Sequence, residues 1–276
     1  MALEKINGLQ IGYLHSKITS DHAIEHYHNA CELDFFITAD LHIFVRDVNY
    51  PIADGDVLYI DEDEIHKVVY SNRTDYTRYV LNVEKDFLAG HVSHAAVCDV
   101  FAGLSRKGCR RAHLSADQYL EISLLFEMLN KQAKAAGDGA NLTAVSALAF
   151  VLLYKISRLL QDKSEERAGS KETYAQKIIR YIDQNYPNKI GLATLAAEFH
   201  LTECYISHLF KEITGLSISS YLQYRRIIEA QKRLKSRDAA IVSVCYECGF
   251  TSLPHFYKVF RRITGTTPKA FAKNTR

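Results

Sequence analysis

The 276-residue sequence holds no tryptophan, and its six cysteines, Cys31, Cys98, Cys109, Cys204, Cys245 and Cys248, are few and scattered. Disulfide-stapled secreted domains need a denser framework, so these thiols fit a reducing cytosol. A signal peptide is missing as well: the opening MALEKINGLQ has no basic stretch followed by an apolar one. The most apolar run, Leu142 to Ile156, carries Lys155 and falls short of the roughly 20 residues a membrane span needs. Strong compositional bias is absent too. With 47% hydrophobic and 24% charged residues, disorder, collagen and low complexity are excluded. What remains is a cytoplasmic protein with no membrane partner, long enough for about two domains.

The formal net charge of +2 conceals an asymmetry. From Lys171 to Arg276 there are 17 Lys+Arg against 8 Asp+Glu; residues 1 to 170 hold 17 against 24. An acidic half joined to a basic half points to a polyanionic partner for the basic half alone. The join is visible at Gln161 to Ser170, a polar stretch with a Gly-Ser pair and no apolar residue larger than Ala. It reads as a linker.

Two helical patterns precede the linker. One starts at Ser115, with Gln118 placed for a capping box and Ile122, Leu125 and Leu129 on one face. The other, Leu142 to Leu160, is apolar nearly all round, which suits either a buried core helix or the seam of a homodimer. Upstream of about residue 100, Leu33 to Phe44, Val57 to Ile60, Lys67 to Tyr70 and Tyr79 to Val83 are short and rich in β-branched and aromatic residues. Short strands at that spacing indicate a small sandwich or barrel.

The basic half contains an internal repeat. Leu195 to Gly215 reads LAAEFHLTECYISHLFKEITG, and Val244 to Gly265 reads VCYECGFTSLPHFYKVFRRITG. Each copy has a short helix, a turn, and a second helix ending in Ile-Thr-Gly. Thr202 and Thr251 are placed to cap the second helices, and Gly215 and Gly265 to stop them. Ile206, Leu209, Phe210 and Ile213 form one buried stripe; Phe256, Val259, Phe260 and Ile263 form its counterpart. These are two helix-turn-helix units, each with its second helix as the presumed reader.

The first reader presents Glu203, Cys204, Ser207, His208 and Lys211; the second presents Ser252, Leu253, Tyr257, Lys258, Arg261 and Arg262. Hydroxyls, a His and an apolar Leu suit base edges and thymine methyls, while Lys and Arg neutralise phosphates. Between the units, Ser217 to Ser236 reads as a helix with Leu222, Ile227 or Ile228, Ala230 and Leu234 buried. Arg225, Arg226, Lys232, Arg233 and Lys235 are expected in solvent. About 19 helical residues span roughly 28 Å. That approaches the roughly 34 Å of one DNA turn, so both readers could enter successive major grooves on one duplex face.

These features together resemble the arabinose-operon-regulator (AraC/XylS) family of transcription factors. The resemblance covers about residues 173 to 276 and rests on FKEITG, on GFTS with Phe256 and Phe260, and on Gly265, Thr267 and Pro268 in the tail FRRITGTTPKAF. Leu253, Pro254 and His255 depart from the polar residues and Tyr usual there, and a proline in a first helical turn is tolerated. Double-stranded DNA is the partner this implies, with activation, a homodimer and a contact with RNA polymerase as family habits.

The acidic half resembles the cupin-type effector domain that many such regulators carry. The matching residues are His26 to Glu32, HYHNACE, followed by Gly55-Asp56 and His66. Carried over residue by residue, the resemblance implies His26, His28, Glu32 and His66 as effector-binding residues or as ligands of a divalent metal. Asp61 and Asp63 stand where the usual second motif has Pro and Gly. The six carboxylates from Asp54 to Glu64 read as a solvated hairpin end in preference to a cation site, and Cys245 and Cys248 as core. Without tryptophan, a sugar effector would stack on Tyr or Phe.

The expected fold is therefore two-domain: an all-β cupin-like barrel with trailing helices, then an all-α domain. Residues 1–110 are assigned to the effector-binding barrel, 111–160 to a helical dimerisation segment, 161–172 to the linker, and 173–276 to the DNA-binding domain. The expected function is a ligand-responsive DNA-binding regulator with a small-molecule effector, not an enzyme. A metal-sensing regulator and a metal-dependent cupin enzyme fused to a DNA-binding tail are the alternatives.

Overall fold

The computed structural model describes residues 3–6, 8–17, 30–71, 75–105, 110–135, 142–164, 173–236 and 239–274. His26 and His28 lie outside them. The chain divides into two compact units, one of residues 1–45 and 50–171, the other of residues 46–49 and 172–276.

The first unit is β-rich. Strands β1 (Glu4–Ile6), β2 (Leu9–Lys17), β3 (Cys31–Thr38), β6 (Asp56–Ile60), β8 (Asp75–Val83) and β9 (Arg111–His113) form one sheet in the order β1-β2-β8-β3-β6-β9. A second sheet has the order β5-β4-β7, from β4 (Asp40–Val45), β5 (Val48–Ala53) and β7 (His66–Ser71). The run Leu33 to Phe44, expected as a single strand, is thus split at Ala39 between the two sheets. Side chains alternate across the larger sheet as period two requires. Cys31, Leu33 and Phe35 on β3, Val57 and Tyr59 on β6, and Leu81 and Val83 on β8 face one hydrophobic core.

Helices close that core. They are α1 (Lys85–Ala89), α2 (His94–Leu104), α3 (Ala116–Ala135) and α4 (Leu142–Ser164). The first two fall inside the stretch assigned from sequence to the barrel. The capping box at Ser115 forms as expected: Ser115 N donates to Gln118 Oε1 at 2.9 Å, and Gln118 N donates to Ser115 Oγ at 3.3 Å. Helix α4 is longer than its most apolar run. Leu142–Gln161 is long and apolar enough by composition to cross a membrane, yet Val145, Ala149, Leu152, Leu153, Ile156 and Leu160 all lie in the core. Each large side chain so buried stabilises the unit by about 1.5–3 kcal/mol. Its buried face belongs to the core of this unit, while Val151 and Tyr154 stay exposed.

The second unit is helical: α5 (Tyr174–Asn185), α6 (Leu192–Phe199), α7 (Glu203–Thr214), α8 (Ile218–Leu234), α9 (Ile241–Glu247), α10 (Leu253–Thr264) and α11 (Pro268–Asn274). The repeated Ile-Thr-Gly has a physical basis. Thr214 Oγ1 donates to the Phe210 carbonyl at 2.6 Å, and Thr264 Oγ1 donates to the Phe260 carbonyl at 2.8 Å. Gly215 (φ 69°) and Gly265 (φ 72°) then end α7 and α10 in the left-handed conformation glycine tolerates.

Candidate nucleic-acid interface and interior polar cluster

The expected reader helices, α7 and α10, are set by matching signals. Thr202 Oγ1 accepts from Tyr205 N at 3.2 Å and caps α7 as expected. At α10 the cap is Ser252, whose Oγ accepts from His255 N, and not Thr251. The second turn is one residue longer, which moves the cap along by one. Ile206 and Phe210 are fully buried in the first unit, Phe256 and Phe260 in the second, and Leu209 and Ile213 are half-buried. Opposite that stripe, Glu203, Cys204, Ser207, His208 and Lys211 are all exposed on α7.

On α10, Lys258, Arg261 and Arg262 are exposed and Leu253 and Tyr257 half-buried. Ser252 spends its oxygen on its own helix, and Arg262 Nη2 donates to Gln223 Oε1 on α8. Tyr205, exposed by half on the α7 face, was not among the expected readers. Its position one residue before the buried Ile206 is the signal that turns it outward.

Helix α8 buries Leu222, Ile227, Ile228, Ala230 and Leu234, as expected. It has 17 residues, not about 19, and spans about 25 Å. Its arginines are not free in solvent. Arg226 Nε donates to the Tyr186 carbonyl and Nη2 to the Asn188 carbonyl, both at 2.8 Å, while its guanidinium lies over the Phe250 ring at 5.7 Å. Tyr186 and Asn188 close α5, and Phe250 belongs to the turn between α9 and α10. One side chain therefore ties the second helix-turn-helix turn to the segment leading into the first. Arg225 lies over Tyr186 at 4.6 Å and pairs with Asp183 at 3.5 Å; Arg233 pairs with Glu229 and Glu247. Burial raises the Asp183 carboxyl above its ordinary pKa, against the opposing charge of Arg225.

In the first unit, the sheet face turned away from the helical core holds charge. Glu32 and Asp34 alternate with Cys31, Leu33 and Phe35 along β3, and both are buried. Arg78 on β8 donates through Nη1 to Glu32 Oε1 at 3.3 Å and to Asp34 Oδ2. Its guanidinium lies 6.0 Å from the Phe36 ring centroid and 5.6 Å from that of Tyr76. Burial pushes the Asp34 carboxyl well above the usual carboxylate range, with Arg78 opposing and Glu32 reinforcing the shift. Among the described residues Asp34 Oδ1, Arg78 Nε and Asn82 Oδ1 are buried without a hydrogen-bond partner. Asn82 sits opposite Glu32 in the β3–β8 register, so all three orphaned atoms belong to one sheet face. Leaving such groups unpaired costs about 1–3 kcal/mol each.

The family model described as a helix-turn-helix domain matches residues 195–274, running from α6 through α11 and across both units. The HTH-type transcriptional activator RhaS of Pectobacterium carotovorum is 24% identical over 254 residues, covering 89% of this chain and 86% of that protein. RhaS of Salmonella typhimurium is 22% identical over 250 residues, with the same coverage. Among solved structures, apo ToxT from Vibrio cholerae covers 99% of this chain and 100% of its own, at 10% identity and a TM-score of 0.41. Residues 195–274 thus carry a helix-turn-helix domain, and the chain along most of its length is similar to transcriptional activators of the AraC type. Those relatives are named as transcriptional activators, and the helix-turn-helix domain marks this chain as a DNA-binding regulator.

The regulator's expected effector residues fare differently. Glu32 is buried on β3 and engaged by Arg78; His66 is buried at the start of β7, where its Nδ1 lies 2.9 Å from the Glu64 carbonyl. Among the described residues no group of three or more His, Cys, Asp or Glu could hold a metal ion. Asp34, Arg78 and Asn82 were missed. The available signal was the pairing of Glu32 with Asp34 at period two in an apolar strand, matched by a lone Arg in DYTRYVLNV.

The acidic run from Asp54 to Glu64 is not a solvated hairpin end. Asp56 is fully buried and pairs with Arg111 at 2.7 Å, Glu64 takes both Arg110 nitrogens at 2.7 and 2.9 Å, and Asp54 accepts from Ala39 N. Asp61 accepts from Tyr59, Cys31, Ser105 and Lys85. Burial pushes its carboxyl upward, but the Ser105 hydrogen bond and the Lys85 charge outweigh that and hold its pKa below the ordinary value.

Proposed function

We propose that this regulator is a cytoplasmic, homodimeric activator that reads DNA with both units and answers to a small polyhydroxylated effector. On α7, Ser207 and His208 contribute base preference, Glu203 and Cys204 flank them, and Lys211 grips phosphate. On α10, Leu253 and Tyr257 meet base edges or thymine methyls while Lys258, Arg261 and Arg262 supply salt-dependent affinity. Ser252 acts as a cap and reaches DNA at most through its backbone. The Arg226 clamp carries this reading, because it makes α7 and α10 parts of one rigid reader instead of two beads on a helix. A contact with RNA polymerase accompanies activation.

The effector reading rests on the three orphaned polar atoms. Two acceptors and one donor on a buried sheet face, beside Phe36 and Tyr76, fit hydroxyl groups over an aromatic wall. Metal fits this face less well, since Glu32 is already drawn to Arg78 and no divalent charge is needed to balance it. Effector binding then shifts the population of DNA-competent arrangements.

A thermal-shift screen of sugars and related polyols against the full chain tests this, repeated on Asp34→Asn. A hit that raises the melting temperature of the natural protein, changes its DNA affinity, and is lost in Asp34→Asn is the expected result. A hit equally strong in the variant overturns the assignment of this face.

A further inference from the structure

A cleft opens at one edge of the first unit, where the turn between β5 and β6 meets the start of α3. Its volume is about 490 Å³, within the roughly 300–1,000 Å³ of small-molecule sites. Ile37, Leu114, Tyr119 and Leu120 give it an apolar wall, and Asp54 and His113 a polar one. Ile37, Leu114 and Tyr119 belong to or border the helical core, so the cleft lies on the sheet face opposite Glu32 and Asp34. Leu120, exposed by 68% although it is a large apolar side chain, forms the rim.

The walls are held in place around Gly55. Gly55 N donates to the Phe36 carbonyl at 2.8 Å, and Leu114 N donates to the Gly55 carbonyl at 3.1 Å. Gly55 has a φ of 79°, and a β-carbon there would meet His113 Cε1 and Tyr119 Cδ2, both at 3.6 Å. The two rings thus face one point that a side chain would fill and glycine leaves open. Ala39 N donates to Asp54 Oδ1 at 2.6 Å, which fixes that carboxylate. Phe35 packs edge-on against Tyr119 with ring centroids 5.0 Å apart. His113 Nδ1 donates to Oδ1 of the fully buried Asp56 at 3.0 Å, so in the neutral ring Nε2 is the acceptor.

These walls suit a cation with an apolar body. The lining holds one carboxylate and no Lys or Arg. An imidazole acceptor and the face of an aromatic ring both attract an ammonium group. Residues 1 to 170 carry 24 Asp+Glu against 17 Lys+Arg, which adds a field of the same sign. A ligand carboxylate would meet Asp54 with like charge, and a sugar would gain little from Ile37, Leu114 and Leu120.

We propose that this cleft is a second small-molecule site and takes a small arylalkyl amine. Its ammonium group sits against Asp54 and His113, and its ring lies along Tyr119 and Leu120. The site is separate from the Asp34 face and does not rest on the effector reading.

The test is isothermal titration of the full chain with phenethylamine, phenethyl alcohol and phenylpropionate, which share a ring and differ in the charge of the tail. It is repeated on Asp54→Asn, which keeps an oxygen for Ala39 N, and on Leu120→Arg, which puts a cation on the exposed rim. Circular dichroism with a melting curve confirms that each variant folds. Saturable binding of one phenethylamine per chain is expected, at least about tenfold tighter than either analogue. Asp54→Asn should weaken it by about tenfold and Leu120→Arg abolish it. No saturable binding of phenethylamine to the natural chain overturns the site. Binding of the alcohol or the acid as tight as that of the amine, or amine binding unchanged in either variant, overturns it as well.

Discussion

Gly249, in the turn of the second helix-turn-helix unit, stands directly against Pro187, in the segment after α5. A β-carbon on Gly249 would sit 2.5 Å from the Pro187 carbonyl oxygen, and Gly249 has a φ of 85°. Only glycine meets both conditions. The contact brings the turn of one unit onto the backbone that leads into the other, beside the Arg226 clamp.

Gly249→Ala is therefore expected to destabilise the DNA-binding unit by about 2 kcal/mol or more, from left-handed strain plus the clash. Chemical denaturation of the full chain measures it. A variant as stable as the natural protein would mean that the two turns do not meet as described.

Arg226→Lys keeps the charge but loses the fork that reaches two carbonyls. The expected effect is selective: affinity for a site read by both units falls, while affinity for a site read by α7 alone is little changed. Fluorescence anisotropy on the two duplexes separates these outcomes. Equal loss on both would make Arg226 a fold-stability residue only.

The cysteines give a test of burial. Burial pushes the Cys31 and Cys248 thiols up to about 12, so at pH 8.5 the folded chain holds almost no thiolate at these two sites, and it raises Cys245 as well. A raised thiol pKa suppresses reaction at neutral pH, because the thiolate is the nucleophile. Brief iodoacetamide treatment followed by peptide mass spectrometry should modify the exposed Cys98 and Cys204 and spare Cys31, Cys245 and Cys248 until denaturant is added.

The pattern of what could be read in advance follows from locality. Thr202, Gly215 and Gly265 act on groups within four residues, so the repeated motif announced them. Ser252 displaced Thr251 because a one-residue longer turn shifts a cap without changing the composition around it. Arg226 looked like solvated surface because its partners, the carbonyls of Tyr186 and Asn188, are 40 and 38 residues away and have no side-chain signature. Asp34 was hidden for a related reason. Which face of β3 is buried against helices, and which against the rest of the β-unit, depends on packing that no single strand encodes. The carboxylates from Asp54 to Glu64 read as surface because their arginine partners lie some 50 residues downstream.

On the proposed function, α7 and α10 form one rigid reader of two successive major grooves. Selection of binding sites from a random duplex library with the full chain tests it most directly, followed by insertion of half a helical turn between the selected blocks. Two enriched blocks about 10 base pairs apart, with binding abolished by the half-turn insertion, is the predicted result. A single enriched block, or two blocks whose binding survives the insertion, would contradict it.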